Sequence, residues 1–141
     1  MKRFALIGAV CVTAMFGLTA CSDDSTPAEE ATEAAADVCT DLSELKADNA
    51  KLKALDPANA TKDQVKDAYD AVQEDWANVK DNLGKLKDAE RAAVKSAAED
   101  LKKGYEDLPG DTTGQNALTQ LQPQIQKLDE SATAAAAGLR C

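Results

Sequence analysis

The chain has 141 residues with 25 acidic side chains, 16 Lys or Arg and no histidine, so its formal net charge is −9. Nucleic-acid binding is not expected, because it rests on clustered Lys and Arg. Without histidine the chain also lacks the usual general base and the commonest transition-metal ligand. The length predicts one domain, and its core should be thin because only 4% of the residues are aromatic.

Residues 1–20 are predicted to be a cleaved secretory signal. Lys2 and Arg3 form a short positive region, and residues 4–17 follow without a single charge. This apolar run is too short to be a membrane-spanning helix, which needs about 20 residues. The chain is therefore expected to be exported.

A quartet follows the apolar run: the branched apolar Leu18, the small Thr19 and Ala20, and then Cys21. It resembles the lipobox of bacterial lipoproteins. That resemblance implies a diacylglyceryl group on the Cys21 sulfur and cleavage on the N-terminal side of this residue. Two or three acyl chains hold a protein firmly, since each buried methylene contributes about 0.8 kcal/mol. We expect lipid anchoring at the extracytoplasmic face of a cell membrane, with inner or outer membrane left open.

Residues 21–37 are predicted to be an acidic, alanine-rich tether. No large apolar side chain occurs between Ser22 and Asp37, so this part cannot contribute to a core. Residues 26–29 have the spacing of a capping box, with Pro27 at the first helical position, which favours a transient helix. The folded domain is expected to span residues 38–141.

Apolar residues at helical spacing predict that this domain is all-α. The first helix should span residues 39–55, with Asn49 as a polar interruption of its apolar face and Pro57 just beyond its end. A capping box at residues 61–64 opens a long heptad stretch. After a third possible cap at residues 112–115, a last helix should run towards Cys141. Pro123 should kink that helix unless the regular helix begins there.

Two arrangements of these helices are compatible with the pattern. In the first, residues 61–108 form one long central helix, and the first and last helices pack end to end along it as an antiparallel hairpin or bundle. In the second, the chain turns near residues 84–88 and forms a four-helix up-down bundle. We favour the long helix, because the apolar period continues through the proposed turn and Gly84 costs a helix only about 1 kcal/mol.

Two cysteines remain in the exported chain once Cys21 is assigned to lipid, namely Cys39 and Cys141. Disulfides persist in oxidising compartments, so these two are expected to pair. Both arrangements of the helices bring them together. The bridge would close a loop of roughly 100 residues, which in the chain-entropy model stabilises the fold by about 4 to 5 kcal/mol.

The sequence indicates no enzymatic activity and no cofactor. Phosphate-binding, dinucleotide-binding and calcium-loop motifs are absent from it. The acidic residues of the second helical stretch have the spacing of a solvated face, and Trp76 has the spacing of a core residue. The cysteine arrangement resembles that of small alanine-rich envelope lipoproteins of actinomycetes, which implies no particular activity.

We therefore expect a non-catalytic structural or interaction module with an envelope protein as partner. The alternative is a binder of small molecules or ions, with a pocket between helices near Trp76.

Overall fold

The computed structural model describes residues 27–141, with side chains from Glu33 onward except Ala34. The predicted signal segment, the quartet Leu18 to Cys21 with its predicted lipidation site, and the first residues of the predicted tether lie outside the described residues.

Four α-helices make up the described chain: α1 (Pro27–Ala54), α2 (Lys62–Asp81), α3 (Asp88–Glu106) and α4 (Gly114–Leu139). No strand occurs in residues 27–141. Each helix runs antiparallel to the one before it. The most extensive packing joins α1 to α2, α1 to α4 and α3 to α4, whereas α2 and α3 make few contacts with each other. The prediction of an all-α antiparallel bundle is confirmed.

The preferred prediction of one long helix over residues 61–108 is wrong, and the four-helix alternative is correct. Helix α2 ends at Asp81, and a single 3₁₀ turn (Leu83–Lys85) leads into extended backbone at Leu86 and Lys87. Asn82 holds the C-terminal end of α2 against α1, because its Nδ2 donates a hydrogen bond to Asp41 Oδ2 of α1 at 2.8 Å.

Leu83 and Leu86 continue the apolar spacing of α2 through this turn because they pack on the core, although they are not part of an α-helix. Leu86 is 4% exposed and Leu83 packs against the core, so both cover the end of the bundle from a non-helical segment. Helix α3 then starts in its own phase, with Val94, Ala97 and Leu101 buried and Ala93 exposed. Acidic residues in its first turn favour a new helix start, since they face the positive end of the helix dipole.

Helix α1 is longer than predicted, because it begins at Pro27 rather than at Cys39. Proline suits the first position of a helix, where its fixed φ is already helical and its missing N–H would have no partner. Val38 is the first buried side chain among those described. Residues 27–37, predicted to be part of a tether, are thus a helical extension about 16 Å long.

The core consists of one cluster of aliphatic and small side chains with Tyr69 and Trp76. Asn49 is the one buried polar residue among the described side chains, at 1% exposure. Its Nδ2 donates a hydrogen bond to the Ile125 carbonyl of α4 at 2.9 Å, while its Oδ1 is buried without a partner. A buried polar side chain of this kind helps to fix the register between α1 and α4.

The predicted capping box at residues 61–64 is confirmed, whereas the cap predicted at residues 112–115 lies one position later than the Thr112–Gln115 spacing, at Thr113. Thr61 Oγ1 accepts a hydrogen bond from the Gln64 N–H, and Gln64 Oε1 accepts one from the Thr61 N–H. Thr113 Oγ1 caps α4 in the same way by accepting from the Asn116 N–H. Helix α4 continues through Pro123, so the alternative in which the helix begins at this proline is wrong.

Candidate functional site

The predicted pair Cys39 and Cys141 forms a disulfide, with Cα atoms 5.5 Å apart and sulfur atoms 2.05 Å apart. Arg140, at φ 63°, ends α4 in the left-handed region, and the N–H of Cys141 donates to the Ala136 carbonyl. This closing turn points the last residue back towards α1. The disulfide therefore joins α1, twelve residues after its start, to the C-terminal end of α4.

A cluster of carboxylates lies on the seam between α1 and α2. Asp75 is half-buried there, and its Oδ2 is buried without a hydrogen-bond partner. Burial, followed by the negative charges of Asp48, Glu44 and Glu74, raises the pKa of Asp75 to about 6. Asp48 in turn forms an ion pair with Lys51, whose pKa is raised by that contact.

The surroundings of Asp75 favour its protonated form over its ionised form. No group of three or more His, Cys, Asp or Glu side chains within residues 27–141 is placed to hold a metal ion. Ionised Asp75 lacks a compensating partner for its buried oxygen, whereas protonated Asp75 can donate a hydrogen bond to Asp48. The pair of Asp48 and Asp75 could not be predicted from the sequence, because its prediction requires knowing which faces of α1 and α2 meet.

Replacing Asp75 with asparagine should stabilise the protein at neutral pH. The folded state raises the pKa of Asp75 from 3.8 to about 6. Its contribution to stability is thus fully present below pH 4 and is lost as the pH rises through about 6. At pH 7.5 we expect Asp75→Asn to raise the free energy of unfolding by about 1 to 3 kcal/mol. At pH 4 the variant and the wild type should be equal. Urea denaturation at both pH values measures the difference.

The exposed Asp67, on the same helix, supplies the matched control. Asp67→Asn should change stability at pH 7.5 by less than Asp75→Asn does. An Asp75→Asn variant that is no more stable than wild type at pH 7.5 would show that Asp75 carries no penalty for ionisation.

Trp76 lies in the core, as its spacing predicts, at 9% exposure. It shares the buried face of α2 with Tyr69, Val72 and Val79. A binding pocket beside Trp76 was the feature expected of a small-molecule binder. The apolar cavity described next is lined by other residues, towards the start of α2.

An apolar groove lies at the end of the bundle opposite the disulfide. It is bounded by the first turn of α2, the last turn of α3 with the loop after it, and the first turns of α4, and its volume is about 270 Å³. We call it the Tyr105 groove, and its principal lining residues are Lys62, Val65, Tyr105, Leu108, Pro109 and Ala117.

Tyr105 forms one side of the groove, and its ring stacks on the buried Tyr69. The rings of Tyr69 and Tyr105 lie nearly parallel, at 8°, with centroids 3.8 Å apart. Burial raises the pKa of Tyr69 to about 12 and also raises the pKa of Tyr105, so both phenols are neutral at physiological pH. The periodic pattern assigned these positions to the core and did not show that the loop at Pro109 leaves space beside them.

No helix in residues 27–141 is both long enough and apolar enough to cross a membrane. Comparison of the chain with protein-family models, curated proteins and solved structures found no match. The site therefore has to be interpreted from its own residues.

Proposed function

We propose that this protein is a lipid-anchored helical module of a bacterial cell envelope that binds a partner protein at the extracytoplasmic face of the membrane. The observation that carries this proposal is the lipobox quartet, Leu18 to Cys21, at the end of an uncharged apolar run. Acylation of the Cys21 sulfur would attach the chain to the membrane six residues before the start of α1.

The arrangement of α1 supports presentation of the bundle at a distance from the membrane. Residues 27–37 are helical and precede the first buried side chain, so they form a stalk about 16 Å long. Loss of residues 1–20 would remove Lys2 and Arg3 and change the formal net charge from −9 to −11. Such a charge is repelled by anionic headgroups, which favours a bundle that stands clear of the surface.

The surface of the bundle supports interaction rather than chemistry. The outer faces of α2 and α3 carry exposed charged residues. These faces carry ion pairs within one helix, such as Lys66 with Asp70 and Lys95 with Glu99. A charged, rigid face on a membrane-anchored bundle would suit a partner with complementary charge.

Crosslinking in cells tests this proposal. A photoreactive amino acid would replace Asp70 of α2 or Glu99 of α3, both of which are exposed. Captured proteins would be identified by mass spectrometry. The control carries Cys21→Ser in addition, which removes the acylated thiol. We expect one dominant partner from the anchored protein, and both release from the membrane and loss of that partner in the control.

Two results would contradict the proposal. Retention of the Cys21→Ser protein in the membrane fraction would show that anchoring does not depend on the lipidated thiol. Capture of no protein above background from either position would show that the outer faces of α2 and α3 do not form an interface.

A further inference from the structure

The Tyr105 groove is slightly smaller than a usual ligand pocket but larger than a cavity that holds one aromatic ring. Ligand pockets usually measure about 300 to 1,000 Å³, and a closed apolar cavity of about 150 Å³ accepts benzene. At about 270 Å³ the groove has space for a two-ring aromatic body or a branched aliphatic group of similar size. Its walls are apolar at Val65, Leu108, Pro109 and Ala117.

Contacts within the fold hold the Tyr105 groove open. The ring of Tyr105 stacks on Tyr69, which is 6% exposed. The loop after α3 is tied to α2, because Lys62 Nζ donates a hydrogen bond to the Gly110 carbonyl at 2.5 Å. Within that loop the Thr112 N–H donates to the Pro109 carbonyl at 2.9 Å. A preformed groove avoids much of the ordering cost of binding.

The charges at the rim favour an anion. Lys62 forms no ion pair with any carboxylate in the described part of the chain, and its contact with Gly110 uses one of three ammonium donors. The rim carboxylate, Glu106, faces Lys102 with an N–O distance of 3.7 Å.

Two helix starts add to the positive potential of the rim. Helix α2 begins at Lys62, and α4 begins at Gly114, directly against the Thr61 backbone. Helix N-termini carry a partial positive charge, so both favour a negative group beside Lys62.

We propose that the Tyr105 groove binds a small amphipathic anion. Its aromatic or branched aliphatic body fills the apolar cavity, and its carboxylate pairs with the Lys62 ammonium. This site does not depend on the membrane anchor, and it lies away from the outer-face positions Asp70 and Glu99.

Titration of the intact, disulfide-bonded chain with three probes tests this assignment. Indole-3-acetate, indole-3-acetamide and tryptamine share one ring system and are anionic, neutral and cationic, respectively. Amide chemical shifts report where and how tightly each probe binds. We expect shifts at Val65, Leu108 and Ala117, with indole-3-acetate binding about fivefold more tightly than the acetamide, and tryptamine binding more weakly than both.

A pair of lysine variants isolates the charge. Lys62→Gln should abolish the preference for indole-3-acetate over the acetamide, whatever its effect on the affinity that the two probes then share. Lys66→Gln, one turn further along α2 and already paired with Asp70, should leave all three affinities unchanged. The proposal is overturned if no probe shifts the groove amides, if acetate and acetamide bind equally, or if Lys62→Gln leaves the preference for acetate intact.

Discussion

Replacement of Cys39 and Cys141 with alanine should lower the free energy of unfolding by about 4 to 5 kcal/mol. The disulfide joins residues 102 positions apart, so it restricts nearly the whole unfolded bundle. Domains of this size have stabilities of about 5 to 15 kcal/mol, and the loss is therefore a large share of the total. Urea denaturation of the oxidised wild type and the double variant measures the difference.

Wild-type protein that has been reduced and alkylated is the control for this experiment. It should unfold at the same urea concentration as the double variant, since both lack the bridge. A loss of less than about 1 kcal/mol would contradict the expected role of the disulfide. It would mean that the unfolded chain gains little freedom when the bridge is removed.

Gly114→Ala should destabilise the bundle by about 2 to 3 kcal/mol, although glycine-to-alanine changes at the start of a helix usually stabilise. A Cβ atom at Gly114 would lie 2.3 Å from the Ala60 carbonyl oxygen and 2.6 Å from that of Thr61. Both neighbours are backbone atoms of the loop between α1 and α2, so they cannot rotate away. Thermal and urea unfolding of the variant test this expectation.

Gly110 provides the comparison, because a Cβ atom there would meet nothing within 4 Å. Gly110→Ala should leave stability unchanged or slightly increased. Equal effects of the two substitutions would contradict the close approach of α4 to the α1–α2 loop. Destabilisation by Gly114→Ala alone would confirm it.

The helical fold could be predicted from local signals. Apolar spacing identified the buried positions of α2, from Val65 to Val79, because a packed helix face repeats with the helical turn. The capping box at Thr61 was also recognisable, since it depends on residues only three positions apart. The pairing of Cys39 with Cys141 could be predicted because only these two cysteines remain in the predicted exported chain once Cys21 is assigned to lipid.

Features that depend on tertiary packing were harder to predict. Leu83 and Leu86 have the spacing of a helix but pack over the end of the bundle from a turn, so periodicity alone could not locate the break. Residues 27–37 lack large apolar side chains, yet they form the first part of α1. The burial of Asp75 depends on its position beside Asp48 of α1. The Tyr105 groove depends on how the loop after α3 lies against α2.

Intact-mass measurement of the protein extracted from membranes tests lipid anchoring. We expect residues 1–20 to be absent and the chain to carry acyl mass on Cys21. Cys39 and Cys141 should be alkylated only after reduction. A membrane-extracted protein that retains residues 1–20 and carries no acyl group would contradict lipid anchoring and the function proposed from it.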